Sequence, residues 1–158
     1  MMITLPILEQ EKAKRIAREW MQWHAKKPPK EDTKISDKDQ LKLDEDAIGA
    51  ELAYCAYFNL FPLCQIVGKL YRWDAVHPDG TTVNVKSTDN PKGNLVVERT
   101  EKGQDEKPDI FALMIGKLPT YEYCGYIERK TIICKKWFND EELKRQPGYL
   151  YPREDLKI

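Results

Sequence analysis

The feature that most constrains the fold is a predicted β-hairpin, residues 70–88, LYRWDAVHPDGTTVNVKST. Two alternating stretches predict its strands. Between them the Pro-Asp-Gly sequence at 78–80 predicts a three-residue loop, in which proline starts a type I turn and glycine takes the left-handed position. This loop places Asp74 directly opposite Asn84. A two-residue Asp-Gly loop would instead pair Asp74 with Val85 and put Asp74 and Asn84 on different faces.

With the three-residue loop, the hairpin gathers an acid, an amide and an amine on one face. Side chains alternate along a strand, so Asn84 and Lys86 share the face of Asp74, while Val83 and Val85 point into the predicted core. Two interpretations stay open: a solvated sheet face and a functional patch. In the second, the oxygens suit a hard cation that binds phosphate and acidifies water, and the ammonium orients that water or stabilises developing charge.

The rest of the chain predicts an α/β (α+β) domain, with a central mixed sheet flanked by helices, and one domain over residues 1–158. The predicted elements, in chain order, are a helix over 8–26, a polar loop over 27–43, a helix at about 44–59, the hairpin, strands at 94–100 and 109–117, at least one strand within 121–138, a short helix near 139–145 and an irregular tail over 147–158. The second helix carries Glu51 beside its apolar face and would bring it to the patch.

Composition and charge count against several classes of protein. Acidic and basic residues number 26 each, so no global basic field indicates a histone-like binder or a membrane-surface protein. No apolar stretch approaches a membrane span, and the N-terminus lacks the features of a secretory signal. The cysteines lack CxxC spacing and are interpreted as reduced core thiols of a cytosolic protein, with a zinc site or disulfides as the alternative. They are Cys55, Cys64, Cys124 and Cys134.

Four segments together resemble the small PD-(D/E)XK nucleases of phages and other mobile genomes: GAELAYCAYFNL, YRWDAVHPDGTTVNVKST, KPDIFALMIG and YEYCGYIERK. In that family a helix supplies a Glu, and a hairpin follows with Asp on its first strand and Glu-x-Lys on its second. A strand beginning with Asp and a Gly-aromatic-Ile segment come next. The resemblance covers about residues 44–130 and implies a restriction-endonuclease-like core.

Carried over residue by residue, the resemblance implies an Mg²⁺- or Mn²⁺-dependent DNA nuclease. Its catalytic residues would be Glu51, Asp74, Asn84 and Lys86. Glu51 would be the helix acid, Asp74 the metal ligand of the first strand and Lys86 the catalytic lysine. The metal ligands would be Glu51, Asp74, Asn84 and the carbonyl of Val85. Such a nuclease, phage-encoded or carried by a mobile element, acts on DNA in the cytoplasm, and many of its kind are homo-oligomers.

Asn84 departs from the family pattern, because an acid is expected at its position. An amide oxygen can ligate magnesium but brings no charge, so the site would hold one negative charge fewer and bind metal more weakly. Two outcomes are open. One is weaker catalysis with a preference for manganese. The other is a nuclease-fold protein that binds nucleic acid or a protein partner without cutting.

Other residues near the hairpin have functional and structural interpretations. Lys92, Arg99 and Lys102 cluster after the motif strand and are predicted to contact nucleic-acid phosphates, with a solvated edge as the alternative. Asp109 heads an apolar strand, where it would cap a turn or support the metal site. His77 follows the first hairpin strand and is predicted to be exposed rather than catalytic.

Overall fold

The structure, a computed structural model, describes residues 1–25, 36–63, 73–99, 105–139 and 147–158, except the side chain of His24. Its helices are α1 (Ile7–Ala25), α2 (Asp37–Phe58) and the one-turn α3 (Arg129–Ile132), with a short 3₁₀ helix at Arg153–Asp155. Its strands are β1 (Met2–Thr4), β2 (Ala75–Val76), β3 (Thr82–Thr88), β4 (Leu95–Glu98), β5 (Ile110–Lys117), β6 (Thr120–Glu128), β7 (Phe138–Asn139) and β8 (Gly148–Tyr151).

The central sheet has five strands in the order β1-β6-β5-β3-β2. β3 and β5 are parallel neighbours, and the other neighbouring pairs are antiparallel. The predicted α+β fold with a central mixed sheet is therefore confirmed.

A second, three-stranded antiparallel sheet has the order β4-β8-β7. The prediction of an irregular tail is wrong over 148–151, because those residues form β8 between β4 and β7. The helix predicted near 139–145 is wrong at Asn139, which pairs in β7. The remainder of that predicted helix lies outside the described residues.

The two faces of the central sheet pack against different partners, because side chains alternate along β5. Ala112 and Met114 join residues of α1 and α2 in one buried cluster. Phe111, Leu113 and Ile115 join residues of β4 and β8 in a second cluster. Thus α1 and α2 cover one face, whereas the three-stranded sheet covers the other.

Helix α2 begins earlier than predicted, since residues 37–43 are helical rather than part of the predicted loop 27–43. The first part of that loop lies outside the described residues. The Ser36 hydroxyl accepts from the Asp39 N–H (3.2 Å) and donates to the Asp39 carboxylate (2.7 Å). Asp37 and Asp39 also place negative charge at the positive end of the helix dipole. This capping signal outweighs the polar composition of the segment.

The predicted hairpin register is confirmed within β2. Ala75 pairs with Val83, as the three-residue loop requires. The loop glycine has a φ of 88°, in the left-handed region that glycine enters without strain. The register ends at Ala75: the Asp74 N–H donates to the Val83 carbonyl, although Val83 already pairs with Ala75, so the predicted pairing of Asp74 with Asn84 is not formed.

Three cysteines are described, and all three are free thiols. Cys55 and Cys124 are buried, as predicted, but Cys134 is only partly buried, so its assignment to the core is wrong. Cys134 follows α3, two residues after the buried Ile132. Cys64 lies outside the described residues.

Within the described ranges, no helix combines the length and apolar character needed to cross a membrane.

Candidate functional site

Asp74 lies at the edge of the central sheet, immediately before β2. Its N–H donates to the Val83 carbonyl (2.9 Å), and its Oδ2 accepts from the Val85 N–H (2.7 Å). The carboxylate therefore takes the place beside β3 that a longer β2 would fill. Burial raises the pKa of Asp74 to about 6, although the Val85 N–H and the charge of Lys86 act to lower it.

Val85 presents its backbone to the same edge. In an extended strand the N–H and C=O of one residue point the same way, so the Val85 carbonyl is directed to the side on which Asp74 lies. The side chains of Val83 and Val85 enter the cluster beneath α2, as the sequence predicted. The role of the Val85 carbonyl as a metal ligand stays a prediction.

Asn84 lies on the opposite face of β3 from α2, beside Phe111 of the parallel strand β5. Its side chain is 9% exposed. The Nδ2 group donates to Glu106 Oε2 at 2.6 Å. The Oδ1 atom is buried and has no hydrogen-bond partner among the described residues. Asn84 thus has a buried acceptor oxygen without a described partner, and the next residue, Val85, donates its N–H to Asp74.

Lys86 shares the face of Asn84, as predicted from the alternation along the strand. Its Nζ donates to both Glu106 oxygens, at 2.8 and 3.0 Å, and lies 5.8 Å from the centre of the Phe111 ring. The Lys86 and Glu106 side chains are 25% and 23% exposed. A partly enclosed ion pair of this kind holds the ammonium in one place.

Glu106 is the residue of this site that sequence reasoning missed. It precedes β5 in an unpatterned polar segment, KGQDEKPD, with no periodicity to give it a face. It reaches Asn84 and Lys86 because β5 pairs in parallel with β3, a long-range contact that local sequence does not specify. Its negative charge also acts to raise the pKa of Asp74, so the two carboxyl groups lie within electrostatic reach of each other.

Glu51 approaches from the helix side of the sheet and is half-buried on α2. Burial raises the pKa of Cys55 to about 12, and the negative charges of Glu51 and Asp74 add to the shift. Both acids therefore lie within electrostatic reach of one thiol. In the part of the chain that the structure describes, no three His, Cys, Asp or Glu side chains gather as a metal-binding group.

Of the residues predicted to contact phosphates, Arg99 makes its described contacts within the protein. Arg99 donates to Asp105 (3.2 Å) and Tyr149 (3.4 Å), and its guanidinium lies 4.6 Å from the Phe138 ring centre. These contacts favour a structural role for Arg99. Lys92 is exposed in the turn between β3 and β4. Lys102 lies outside the described residues, so its role stays a prediction.

Asp109 clamps the start of β5 to the start of β3. Its Oδ2 accepts from the N–H and the hydroxyl of Thr82, both at 2.8 Å. This is the capping role that the sequence offered as one alternative.

His77 was predicted to be exposed, but it is half-buried. Its Nε2 is hydrogen-bonded to the Tyr54 hydroxyl (2.8 Å), and its ring packs against Phe58, because α2 passes over the end of β2.

A pocket of about 640 Å³ opens beside the hairpin loop, beneath the end of α2. Aromatic residues of α2 and β6 form its walls, and acidic side chains lie at its rim. The lining includes Tyr54, Tyr57, Phe58, Tyr123, Asp79 and Asp109. Asp74, Asn84 and Lys86 are not in the lining, so this pocket and the acid–amide–lysine patch are separate features of the hairpin.

Comparison with protein-family models, with curated proteins and with solved structures gives no match for this chain. The family resemblance of the motif therefore stays a prediction, and the function has to be argued from the geometry of the site.

Proposed function

We propose that the chain is a metal-dependent nuclease that hydrolyses DNA phosphodiester bonds, with its active site at the edge of the β2–β3 hairpin. The observation that carries this proposal is the buried Asn84 Oδ1, which has no partner among the described residues. A buried polar atom in this state costs on the order of 1–3 kcal/mol. A cation beside Asp74 would satisfy the oxygen, and the Asp74 carboxylate would balance its charge.

The donor set suits a hard divalent cation such as Mg²⁺ or Mn²⁺, which prefers oxygen ligands. The carboxylate of Asp74, Oδ1 of Asn84 and the carbonyl of Val85 would hold it, and Glu51 would contribute from α2. When bound, the cation would neutralise a phosphate oxygen and lower the pKa of the attacking water.

Lys86 supplies positive charge on the face of Asn84. Its ammonium is oriented by the two bonds to Glu106 and by the Phe111 ring. An ammonium so placed can orient a water molecule or stabilise charge that develops on a phosphate. The proposed hydrolysis needs a carboxylate that can hold the cation and an ammonium in a fixed position. This hairpin would provide both, as Asp74 and Lys86.

The neutral side chain of Asn84 favours a second candidate function, which is binding of nucleic acid or a protein partner without cleavage. With an amide in place of the second acid, the proposed ligands carry one negative charge fewer than the pattern of the nuclease family would give, so they should bind the cation more weakly. Binding of this kind would not depend on a divalent cation.

Cleavage of labelled single-stranded, double-stranded and branched DNA, with magnesium, manganese or chelator, tests both candidates. Asp74→Asn is the informative variant, because its amide oxygen can still accept from the Val85 N–H. Asp79→Asn, at an exposed loop acid, is the matched control. We expect metal-dependent cleavage that Asp74→Asn loses and Asp79→Asn keeps. If the protein binds DNA but cleaves none of it with magnesium, manganese or chelator, the second function would be supported. Neither DNA binding nor cleavage would contradict the nuclease and the nucleic-acid-binding form of the second function.

A further inference from the structure

The Asn84 side chain is oriented by Glu106. Its Nδ2 end donates to Glu106 Oε2 at 2.6 Å, which turns the buried Oδ1 end away from Glu106 and leaves it without a partner among the described residues. The opposite orientation would set the amide oxygen against a carboxylate. Glu106 therefore fixes the orientation in which the amide oxygen of Asn84, and not its NH2 group, is the buried atom without a described partner.

Glu106 also supplies the charge that Asn84 lacks. Its carboxylate contacts Asn84 and Lys86 together, and it lies within electrostatic reach of Asp74. In this conformation its negative charge is balanced by the Lys86 ammonium. A divalent cation between Asp74 and Asn84 would compete with Lys86 for the same carboxylate, because a doubly charged ion attracts an anion more strongly than an ammonium does.

We propose that Glu106 is the second carboxylate of the metal site, acting in place of an acid at position 84. Without the cation it is paired with Lys86. When the cation binds, the Glu106 carboxylate exchanges Lys86 for the metal, and the Lys86 ammonium becomes free to face the phosphate. This inference rests on the proposed metal-dependent nuclease and names a residue and a switch that the motif does not contain.

Binding of Mn²⁺ to the metal-free protein, followed by electron paramagnetic resonance of the free ion, tests the ligand role without any activity assay. Glu106→Gln preserves the size of the side chain, and we expect it to weaken Mn²⁺ binding by at least about tenfold. The matched control is Asp105→Asn, since Asp105 is a neighbouring acid committed to Arg99 and Tyr149. We expect that variant to stay within about twofold of wild type, because the Asp105 carboxylate is already paired with Arg99 and its remaining field is screened by solvent.

A rescue variant separates ligation from a general effect of charge. In Asn84→Asp/Glu106→Gln the acid is moved to position 84, and we expect most of the Mn²⁺ affinity to return. If Glu106→Gln binds as wild type does while Asp74→Asn loses binding, Glu106 is only a partner of Lys86, and the nuclease proposal is unaffected. If wild type binds no Mn²⁺, the metal site of the proposed function fails as well.

The release of Lys86 from Glu106 on metal binding can be measured separately, by the reactivity of the Lys86 amine. Acetylation by an N-hydroxysuccinimide ester, quantified by peptide mass spectrometry, reports how accessible the Lys86 amine is. We expect the rate at Lys86 to rise when Mn²⁺ is added to wild type, and to be high already in metal-free Glu106→Gln. A rate in wild type that does not change with Mn²⁺ would overturn the exchange. Melting curves in chelator would confirm that each variant is folded.

Discussion

Asp74→Asn should make the metal-free protein more stable at neutral pH. The carboxyl group of Asp74 is enclosed at the sheet edge, and its pKa is raised from 3.8 to about 6. A raised pKa means that the fold disfavours the charged form. The substitution removes that charge, and the amide oxygen can still accept from the Val85 N–H.

The magnitude follows from the pKa shift. A rise of about two units corresponds to at most about 3 kcal/mol at neutral pH. The neutral acceptor makes a weaker hydrogen bond, a loss of roughly 1 kcal/mol. Because the residue as a whole keeps partial exposure, we expect a net gain of about 1–2 kcal/mol. For a chain of this length that corresponds to a rise in Tm of about 2–8 °C.

The gain should depend on pH with a definite sign. The penalty on wild type is present above the folded pKa of about 6 and disappears as the pH falls toward 3.8, because Asp74 then binds a proton in the folded state. Thermal melts in chelator at about pH 7.5 and about pH 4 would measure the difference at each end. Asp109→Asn is a control of opposite sign, since its bonds to Thr82 lower the pKa of Asp109.

A lower Tm for Asp74→Asn at neutral pH, or a gain of the same size at both pH values, would refute the reasoning. The first result would mean that the charge itself holds the edge together. The second would mean that the effect has nothing to do with ionisation. Added Mg²⁺ should reverse the order of the two proteins, because only the carboxylate binds the cation well.

Three further predictions concern catalysis and packing. Lys86→Ala should abolish cleavage while DNA binding is largely retained, as measured by cleavage and gel-shift assays on one substrate; normal cleavage would exclude the proposed role of the lysine. Asn84→Asp should destabilise the metal-free protein by about 1–3 kcal/mol, because it sets two acids together at Glu106, and it should enlarge the Tm gain on adding Mg²⁺; an unchanged response to metal would show that position 84 is not a ligand. Gly49→Ala should destabilise the fold by about 1–3 kcal/mol in urea titrations, because a Cβ there would clash with the Tyr121 hydroxyl beneath α2; a stability gain of the kind alanine gives in an open helix would contradict this packing.

The hairpin could be predicted from sequence because its determinants are local. Pro-Asp-Gly selects the loop, the loop fixes the register, and alternation assigns each side chain to a face. The same local logic would have found the start of α2, since Ser36 is followed by acids in the first turn. The polar composition of the segment concealed this signal.

Glu106 could not be found in this way. Its position depends on the parallel pairing of β3 with β5, which β4 separates in the chain. Strand β8 is similar, because its partners β4 and β7 become visible only when distant segments meet. Local patterns therefore predicted the acid, amide and lysine of the hairpin, whereas the residue that links the amide to the lysine required the tertiary structure.

The Asp74 carboxylate also bears on self-association. A strand whose outer N–H groups lack partners is a template for pairing with another chain, and negatively charged side chains along such a margin discourage it. β2 is two residues long, so it leaves the Val85 N–H of β3 beyond its reach, and Asp74 takes up that donor. A residue placed to hold a cation would thus also guard β3 against intermolecular strand addition. Variation to Asn at position 74 would keep the bond to the Val85 N–H but lose the charge, whereas variation to Ala would lose both together with the metal ligand.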